Sequence, residues 1–216
     1  MGLLVLPILL VAFPGPEALA VLLPLYIITD IMAVWSYRSK VNWSVLVRFL
    51  PLAFLGVFVA SHFLANIDGE EFINFLGVMI IAMIALGLYL DFRPATFMQK
   101  PWAAYSMGFL GGIVTMMANA AGPLFSLFLL EQKLDKETYV STRAWAFFII
   151  NLAKLPFYMA LGLFSLESVQ VSLYGLPGLA IGSFIGYHFL KKVNPVQFKW
   201  LIRIMSAIAA VKLFVF

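Results

Sequence analysis

Long apolar runs, separated by short loops that collect Pro, Gly and charged residues, dominate the chain. A helix needs about 20 apolar residues to cross a bilayer, and several runs approach or exceed that length. The runs are continuously apolar, whereas the strands of a membrane β-barrel alternate apolar and polar residues. The pattern therefore predicts an all-α, polytopic bundle of transmembrane helices. The predicted helices are 18–35, 44–64, 72–90, 102–117, 138–164, 169–190 and 197–216, with shorter apolar runs over 2–13 and up to residue 130.

Composition leads to the same class. Of the 216 residues, 63% are hydrophobic and 11% are charged, which is too little polar surface for a water-soluble monomer of this size. The formal net charge of +4 is divided among short loops, so we interpret it as an orientation signal and expect no nucleic-acid partner. The absence of cysteine excludes disulfides and thiolate chemistry. No positive segment precedes the first apolar run, so we predict no removable signal peptide.

An internal repeat relates the two halves of the chain. Residues 50–79 align without gaps on residues 176–205, at a constant offset of 126. The loop 65–71 of the first copy is acidic, whereas its counterpart 191–197 carries lysines. Because Lys and Arg near helix ends favour the cytoplasm, the two copies are expected to face opposite sides of the membrane. The identities are Leu50/Leu176, Pro51/Pro177, Gly56/Gly182, Phe58/Phe184, His62/His188, Phe63/Phe189, Leu64/Leu190, Phe72/Phe198 and Met79/Met205.

The repeat defines the domain organisation. Residues 1–91 form the first repeat, which is incomplete at its N-terminus, and residues 102–216 form the second; together they make one membrane domain. Secondary transporters are often built from such inverted-topology repeats, with broken helices and a substrate site near the bilayer midplane. Gly and Pro within 118–123 predict a helix that breaks inside the membrane and restarts near Gly122.

A polar stripe runs along the predicted helix 138–164. Its members are spaced by 4, 4, 3 and 4 residues, which puts them on one helix face: Arg143, Phe147, Asn151, Lys154 and Tyr158. Charge in hydrocarbon is costly, so buried cations are functional candidates unless carboxylates pair with them. Beside the open N–H groups of the restarting helix, they predict a site for a small oxyanion. The candidate binding residues are Asn119, Gly122, Arg143, Asn151, Lys154 and Tyr158.

Asp30 is the one carboxylate well inside a predicted span, and it cannot neutralise two buried cations. It is either a counter-ion that substrate releases or a carboxyl that gains and loses a proton during transport; a purely structural role is the third reading. The chain offers no His-Glu-x-x-His motif and no nucleophile with its base. We therefore predict no enzyme activity, no metal site and no cofactor.

Three segments resemble the sulfite exporter TauE/SafE family of membrane permeases. They are the two openings Met1–Leu10 and Ala121–Leu130, and the run Thr142–Tyr158 with the glycine that follows at 162. The resemblance implies export or exchange of small sulfur-containing or organic anions such as sulfite or sulfonates. Two features depart from the family pattern. Ala-Ala-Gly-Pro at 120–123 replaces a Gly-Gly-Gly run, and Met1 aligns with Ala121, so we expect the family's first membrane helix to be missing.

The sequence thus favours a multi-pass protein of the plasma or inner membrane that acts as a secondary transporter by alternating access. Coupling to protons is one option. An accessory membrane subunit and a passive anion channel are the alternatives. The expected partners are a small anionic substrate and the lipid bilayer. The sequence is also compatible with a homo-oligomer. Glycines at 178, 182 and 186 allow close packing within the monomer or between protomers, and we favour internal packing.

Overall fold

The computed structural model describes residues 2–10, 12–37, 40–92, 96–190, 200 and 204. In this part of the chain the secondary structure is helical and contains no strand, which confirms the predicted all-α class. The predicted helix 197–216 lies outside the described residues. The helices are α1 (Gly2–Leu9), α2 (Glu17–Ser36), α3 (Trp43–Leu64), α4 (Gly69–Phe92), α5 (Pro101–Ala118), α6 (Gly122–Glu131), α7 (Lys136–Ala160) and α8 (Leu166–Leu190), with a 3₁₀ turn at Thr96–Gln99.

Three helical stretches in the described residues are long and apolar enough to cross a membrane. They are Glu17–Ser36, Trp43–Leu64 and Gly69–Leu86. Large apolar side chains on their outer faces are exposed, among them Met32 on α2 and Phe58 on α3. Contiguous exposed apolar surface is rare on water-soluble proteins but suits helices whose solvent is lipid.

The closest helix contact in the bundle joins α3 and α5 through glycines. A Cβ added at Gly112 would overlap the Ala53 carbonyl oxygen, and one added at Gly56 would overlap that of Phe109. Gly108 approaches the α3 backbone in the same way. Small residues four apart let membrane helices bring their backbones together. The two helices therefore meet backbone to backbone.

The glycines of α8 behave differently from this contact. A Cβ added at Gly178 or Gly182 meets no heavy atom of the described residues within 4 Å. The internal packing that we favoured for these glycines is therefore not found in the described part of the chain. The close packing lies on α3 and α5 instead.

Helix α7 ends a turn earlier than the sequence predicted. We expected it to reach Phe164, but it stops at Ala160 because Gly162 takes a left-handed conformation with φ 69°. The N–H of Gly162 donates to the Met159 carbonyl and the next N–H donates to the Tyr158 carbonyl, both at 3.1 Å. This is the Schellman arrangement that commonly closes a helix at glycine.

The start of α7 is capped by Asp135. Its carboxylate accepts hydrogen bonds from the backbone N–H groups of Glu137 at 3.1 Å and Thr138 at 3.0 Å, and from the Thr138 hydroxyl at 2.6 Å. The hydroxyl bond, followed by the backbone bonds, holds the pKa of the Asp135 carboxyl below its usual value. The cap fixes where α7 begins.

The loop between α2 and α3 is tied to this end of α7. Lys40 forms an ion pair with Glu137 at 3.0 Å, and the backbone N–H of Asn42 donates to the Thr142 hydroxyl at 2.9 Å. The hydrogen bond to Glu137 raises the pKa of Lys40. Helix α2 packs against α7 and α8, and α3 packs against α5 and α7. These contacts place α2, the α5–α6 connection and α7 around a common space.

Candidate functional site

A cavity of about 390 Å³ lies between α2, the α5–α6 connection and α7. Its volume is within the range of about 300–1,000 Å³ that small-molecule sites occupy. Along α7 it extends from Val140 to Asn151, which corresponds to about 16 Å of helix. The lining residues are Tyr26, Thr29, Asp30, Ala33, Tyr37, Thr115, Asn119, Gly122, Val140, Arg143, Ala144, Phe147 and Asn151.

A short connection between α5 and α6 borders this cavity. Helix α5 ends at Ala118, and Asn119 follows in the left-handed conformation with φ 50° and ψ 28°. Asparagine tolerates this conformation better than most residues. Helix α6 then begins at Gly122, which lines the cavity. The first N–H groups of a helix lack intrahelical acceptors and favour anions. Because Pro123 has no N–H, the open donors at the start of α6 are those of Gly122, which lines the cavity, and of the buried Leu124.

Two buried polar atoms of the cavity wall have no hydrogen-bond partner among the described residues. They are the side-chain amide nitrogen Nδ2 of Asn119 and the hydroxyl of Tyr26. A buried polar group without a partner costs free energy, and such groups are uncommon in folded proteins. Both residues line the cavity, so these two atoms lie in its wall beneath the exposed surface.

Arg143 supplies the positive charge of the cavity. Its side chain is exposed to the cavity, and its guanidinium carbon lies 5.5 Å from the centre of the Phe147 ring. A Cβ added at Gly122 would be 3.8 Å from its Nη2 atom, so the guanidinium is close to the start of α6. It makes no hydrogen bond or ion pair with the described residues. Its planar set of five N–H donors, which suits oxyanions, is therefore available.

Lys154 faces the same connection from behind and is fully buried. Its ammonium donates to the Thr115 carbonyl and to the Thr115 hydroxyl, both at 3.3 Å, and to Oδ1 of Asn119. These acceptors use its three N–H groups. A cation at the C-terminus of α5 also suits the helix dipole. Lys154 holds the Asn119 amide by its oxygen, which leaves Nδ2 for the cavity.

Tyr158 has a related position. Its side chain is fully buried, and its hydroxyl donates to the Met116 carbonyl at 2.7 Å. Together with Lys154, it supplies donors from α7 to the last carbonyls of α5. No N–H group within that helix donates to these carbonyls. Neither Tyr158 nor Lys154 lines the cavity.

Asp30 and Asn151 connect α2 to α7 across the cavity. Nδ2 of Asn151 donates to a carboxylate oxygen of Asp30 at 2.6 Å. In the described residues Asp30 forms no ion pair with Arg143 or Lys154, although both are on the helix it faces. Its carboxylate therefore keeps most of its acceptor capacity free.

The structure brings together five of the seven residues singled out from the sequence: Asp30, Asn119, Gly122, Arg143 and Asn151. The two others, Lys154 and Tyr158, stand behind the cavity and hold α5. Tyr26, Thr29 and Thr115 also line the cavity but were not singled out. Tyr26 is four residues before Asp30 on α2, so helical spacing alone would have indicated it.

Fold and cavity together define a helical membrane protein with a cavity among its helices that charged and polar side chains help to line. In the described residues, no group of three or more His, Cys, Asp or Glu residues is arranged to hold a metal ion. The model of the sulfite exporter TauE/SafE family matches residues 1–213, and the chain belongs to this family of membrane transporters, which are not enzymes. No curated protein and no solved structure matches the chain.

Proposed function

We propose that the chain is a secondary transporter that moves small sulfur-containing or organic anions, such as sulfite or sulfonates, through the 390 Å³ cavity. One observation carries this proposal. The unpartnered donors of Arg143, Asn119 and the start of α6 belong to the same cavity, in a chain of a membrane transporter family. Unpaired donors and a free cation are what an anion requires of its site.

The anion would accept hydrogen bonds from the guanidinium of Arg143, Nδ2 of Asn119 and the first N–H groups of α6. Gly122 has no side chain, so an oxyanion can approach the backbone there. Lys154 would act without contacting the anion. Its charge favours an anion at Asn119 through space, because interactions between charges are strong where water is excluded.

Transport would occur by alternating access of two inverted repeats, residues 1–91 and 102–216, with the α5–α6 break near the bilayer midplane. Helix pairing supports this arrangement. Helix α2 packs on α8, and α7 packs on α3. If α2 corresponds to α7 and α3 to α8, these are the same contact made once by each half. The cavity would then lie between the halves, as in other transporters built from repeats.

Asp30 would be the group that couples binding to movement. As a counter-ion, Asp30 would be attracted to Arg143 in the empty site. A bound anion would take its place and release it. As a proton carrier, it would alternate between a carboxylate that accepts from Asn151 and a neutral acid. The two roles differ in one observable for ethanesulfonate, whose charge does not change near neutral pH: only the second makes its flux depend on an imposed pH gradient, and Asp30→Asn would remove that dependence.

The proposal is tested by flux in proteoliposomes. Labelled sulfite and ethanesulfonate are measured for the wild-type chain, for Arg143→Gln and for Arg48→Gln, an exposed arginine of α3 that does not line the cavity. We expect saturable uptake that unlabelled anion on the far side accelerates, a loss of at least tenfold in Arg143→Gln, and little change in Arg48→Gln.

Other outcomes select the alternatives. Flux that unlabelled anion on the far side does not accelerate would indicate a passive channel, because only a carrier that alternates its access shows this exchange. The absence of flux from folded, monodisperse protein would overturn transport by this chain alone and favour an accessory subunit.

A further inference from the structure

The cavity carries charges of both signs on different walls. Helix α2 contributes the carboxylate of Asp30, with the Tyr26 hydroxyl one helical turn away. The other wall contributes the Arg143 guanidinium and the Asn119 amide. A carboxylate repels an anion and attracts a cation, so the α2 wall suits a group of positive charge.

Arg143 and Asp30 do not form an ion pair with each other. Among the described residues Arg143 has no ion pair, and the hydrogen bond from Asn151 occupies one oxygen of Asp30. An ionised carboxylate has about four acceptor positions, so it can still accept from a ligand. The unpartnered hydroxyl of Tyr26 provides a further polar contact on the same wall. The two walls therefore offer separate binding sites for groups of opposite charge.

The cavity is also larger than a bare oxyanion requires. Its volume of about 390 Å³ lies within the range of about 300–1,000 Å³ that small organic ligands occupy. An ion of four heavy atoms fills only a small part of that space. The remaining space, which Asp30 and Tyr37 also line, can hold a short carbon chain.

We infer that the cavity selects a zwitterionic solute, in which an oxyanion and an ammonium group are joined by a short carbon chain, as in an aminoalkanesulfonate. This inference rests on the proposed function and narrows its substrate class. The oxyanion binds Arg143, Asn119 and the start of α6. The ammonium group donates to the Asp30 carboxylate and to the Tyr26 hydroxyl. A hydroxyl in place of the ammonium gives a weaker version of the same contact, because it donates without charge.

The test compares two solutes of nearly equal shape. Propanesulfonate ends in a methyl group where 2-aminoethanesulfonate ends in an ammonium group. Each competes against labelled sulfite for binding to the purified full chain in detergent. We expect the amino compound to compete at concentrations at least tenfold lower than propanesulfonate, with 2-hydroxyethanesulfonate in between.

Asp30→Asn should reduce this ratio to about one, because the amino compound loses its charged partner. The substitution keeps an acceptor for Asn151, so we expect folded protein, which a symmetric size-exclusion profile would verify. Glu70→Gln, an exposed carboxylate in the first turn of α4, is the matched control and should keep the ratio.

Two results would overturn the inference: a wild-type ratio of one or less, or a ratio that Asp30→Asn leaves unchanged. If Asp30→Asn does not fold, the ratio between the two competing concentrations in the wild type decides the inference by itself. Sulfite and propanesulfonate binding that depends on Arg143, without preference for the amino compound, would refute the inference and leave the proposed function standing. A chain that binds none of these solutes would refute both.

Discussion

Two helix crossings in this bundle are built in opposite ways. Helices α3 and α5 meet at glycines with their backbones in contact, and the atoms nearest to Gly56 and Gly112 are backbone atoms of the other helix. Helices α2 and α7 meet through the Asp30–Asn151 hydrogen bond beside an open cavity. Lipid gives helices no hydrophobic reason to associate, so close backbone packing makes the rigid contact. The polar crossing between α2 and α7 keeps free donors and acceptors, so it is the crossing that suits the proposed binding of an anion and the proposed movement of the helices.

Lys154 and Tyr158 join these two regions. Both belong to α7, which forms one wall of the cavity, and both donate to the last turn of α5, which belongs to the glycine contact. The rigid crossing thereby determines where Asn119 presents its free amide. Substitutions in the rigid region should change stability first, and substitutions in the cavity should change flux first.

The largest effect is expected from Gly56→Leu. The new side chain would overlap the Phe109 carbonyl, and backbone atoms cannot rotate away, so we expect a loss of roughly 3 kcal/mol, the upper end for overpacking. The repeat-related Gly182→Leu is the control, since no described residue packs against it. Thermal unfolding in detergent measures both. Equal losses in the two variants would contradict the contrast between the crossings.

Lys154→Met should lower both stability and flux. The substitution keeps the apolar stem but leaves Oδ1 of Asn119 and the Thr115 hydroxyl without this donor, which costs about 2 kcal/mol; the Thr115 carbonyl still accepts from the backbone N–H of Asn119. Asn119 would then turn, and its amide would leave the cavity. Arg143→Met is the matched variant, because it should abolish flux without changing the unfolding midpoint. If both variants lost stability equally, the two cations would have the same role.

Tyr158→Phe should have a smaller effect. It removes one hydrogen bond, to the Met116 carbonyl, and retains the ring, so we expect a loss of about 1 kcal/mol. Because Lys154 still holds Asn119, flux should fall by no more than about twofold. A loss of flux as large as that of Arg143→Met would mean that Tyr158 contributes directly to the cavity.

Helical periodicity was enough to predict most of the elements and the polar face of α7. Spacing of 3 and 4 residues placed Arg143, Asn151 and Lys154 on one side, and this held because membrane helices are regular. Periodicity could not tell that the donors of Arg143 are free whereas those of Lys154 form hydrogen bonds with α5. That distinction depends on which helix packs behind α7.

The glycines show the same limit. Spacing of four residues occurs on both α5, at Gly108 and Gly112, and α8, at Gly178 and Gly182. Both patterns permit close approach, but only the first has a partner helix among the described residues. Sequence patterns describe what a helix face can accept, and the topology of the bundle decides which face is used.

The smallest predicted effect lies outside both crossings, at the cap of α7. The pKa of Asp135 is lower in the folded chain than in the unfolded one, so the folded state binds fewer protons as the pH falls through this range. The stabilisation is therefore complete above the ordinary carboxyl pKa of about 4 and is lost below it. Asp135→Asn keeps a capping oxygen without the charge. At pH 6 its unfolding midpoint should be lower than that of the wild type by no more than about 2 °C, and the difference should vanish as the pH is lowered towards the folded pKa. A difference that persists in acid would mean that the charge of Asp135 is not what stabilises the start of α7.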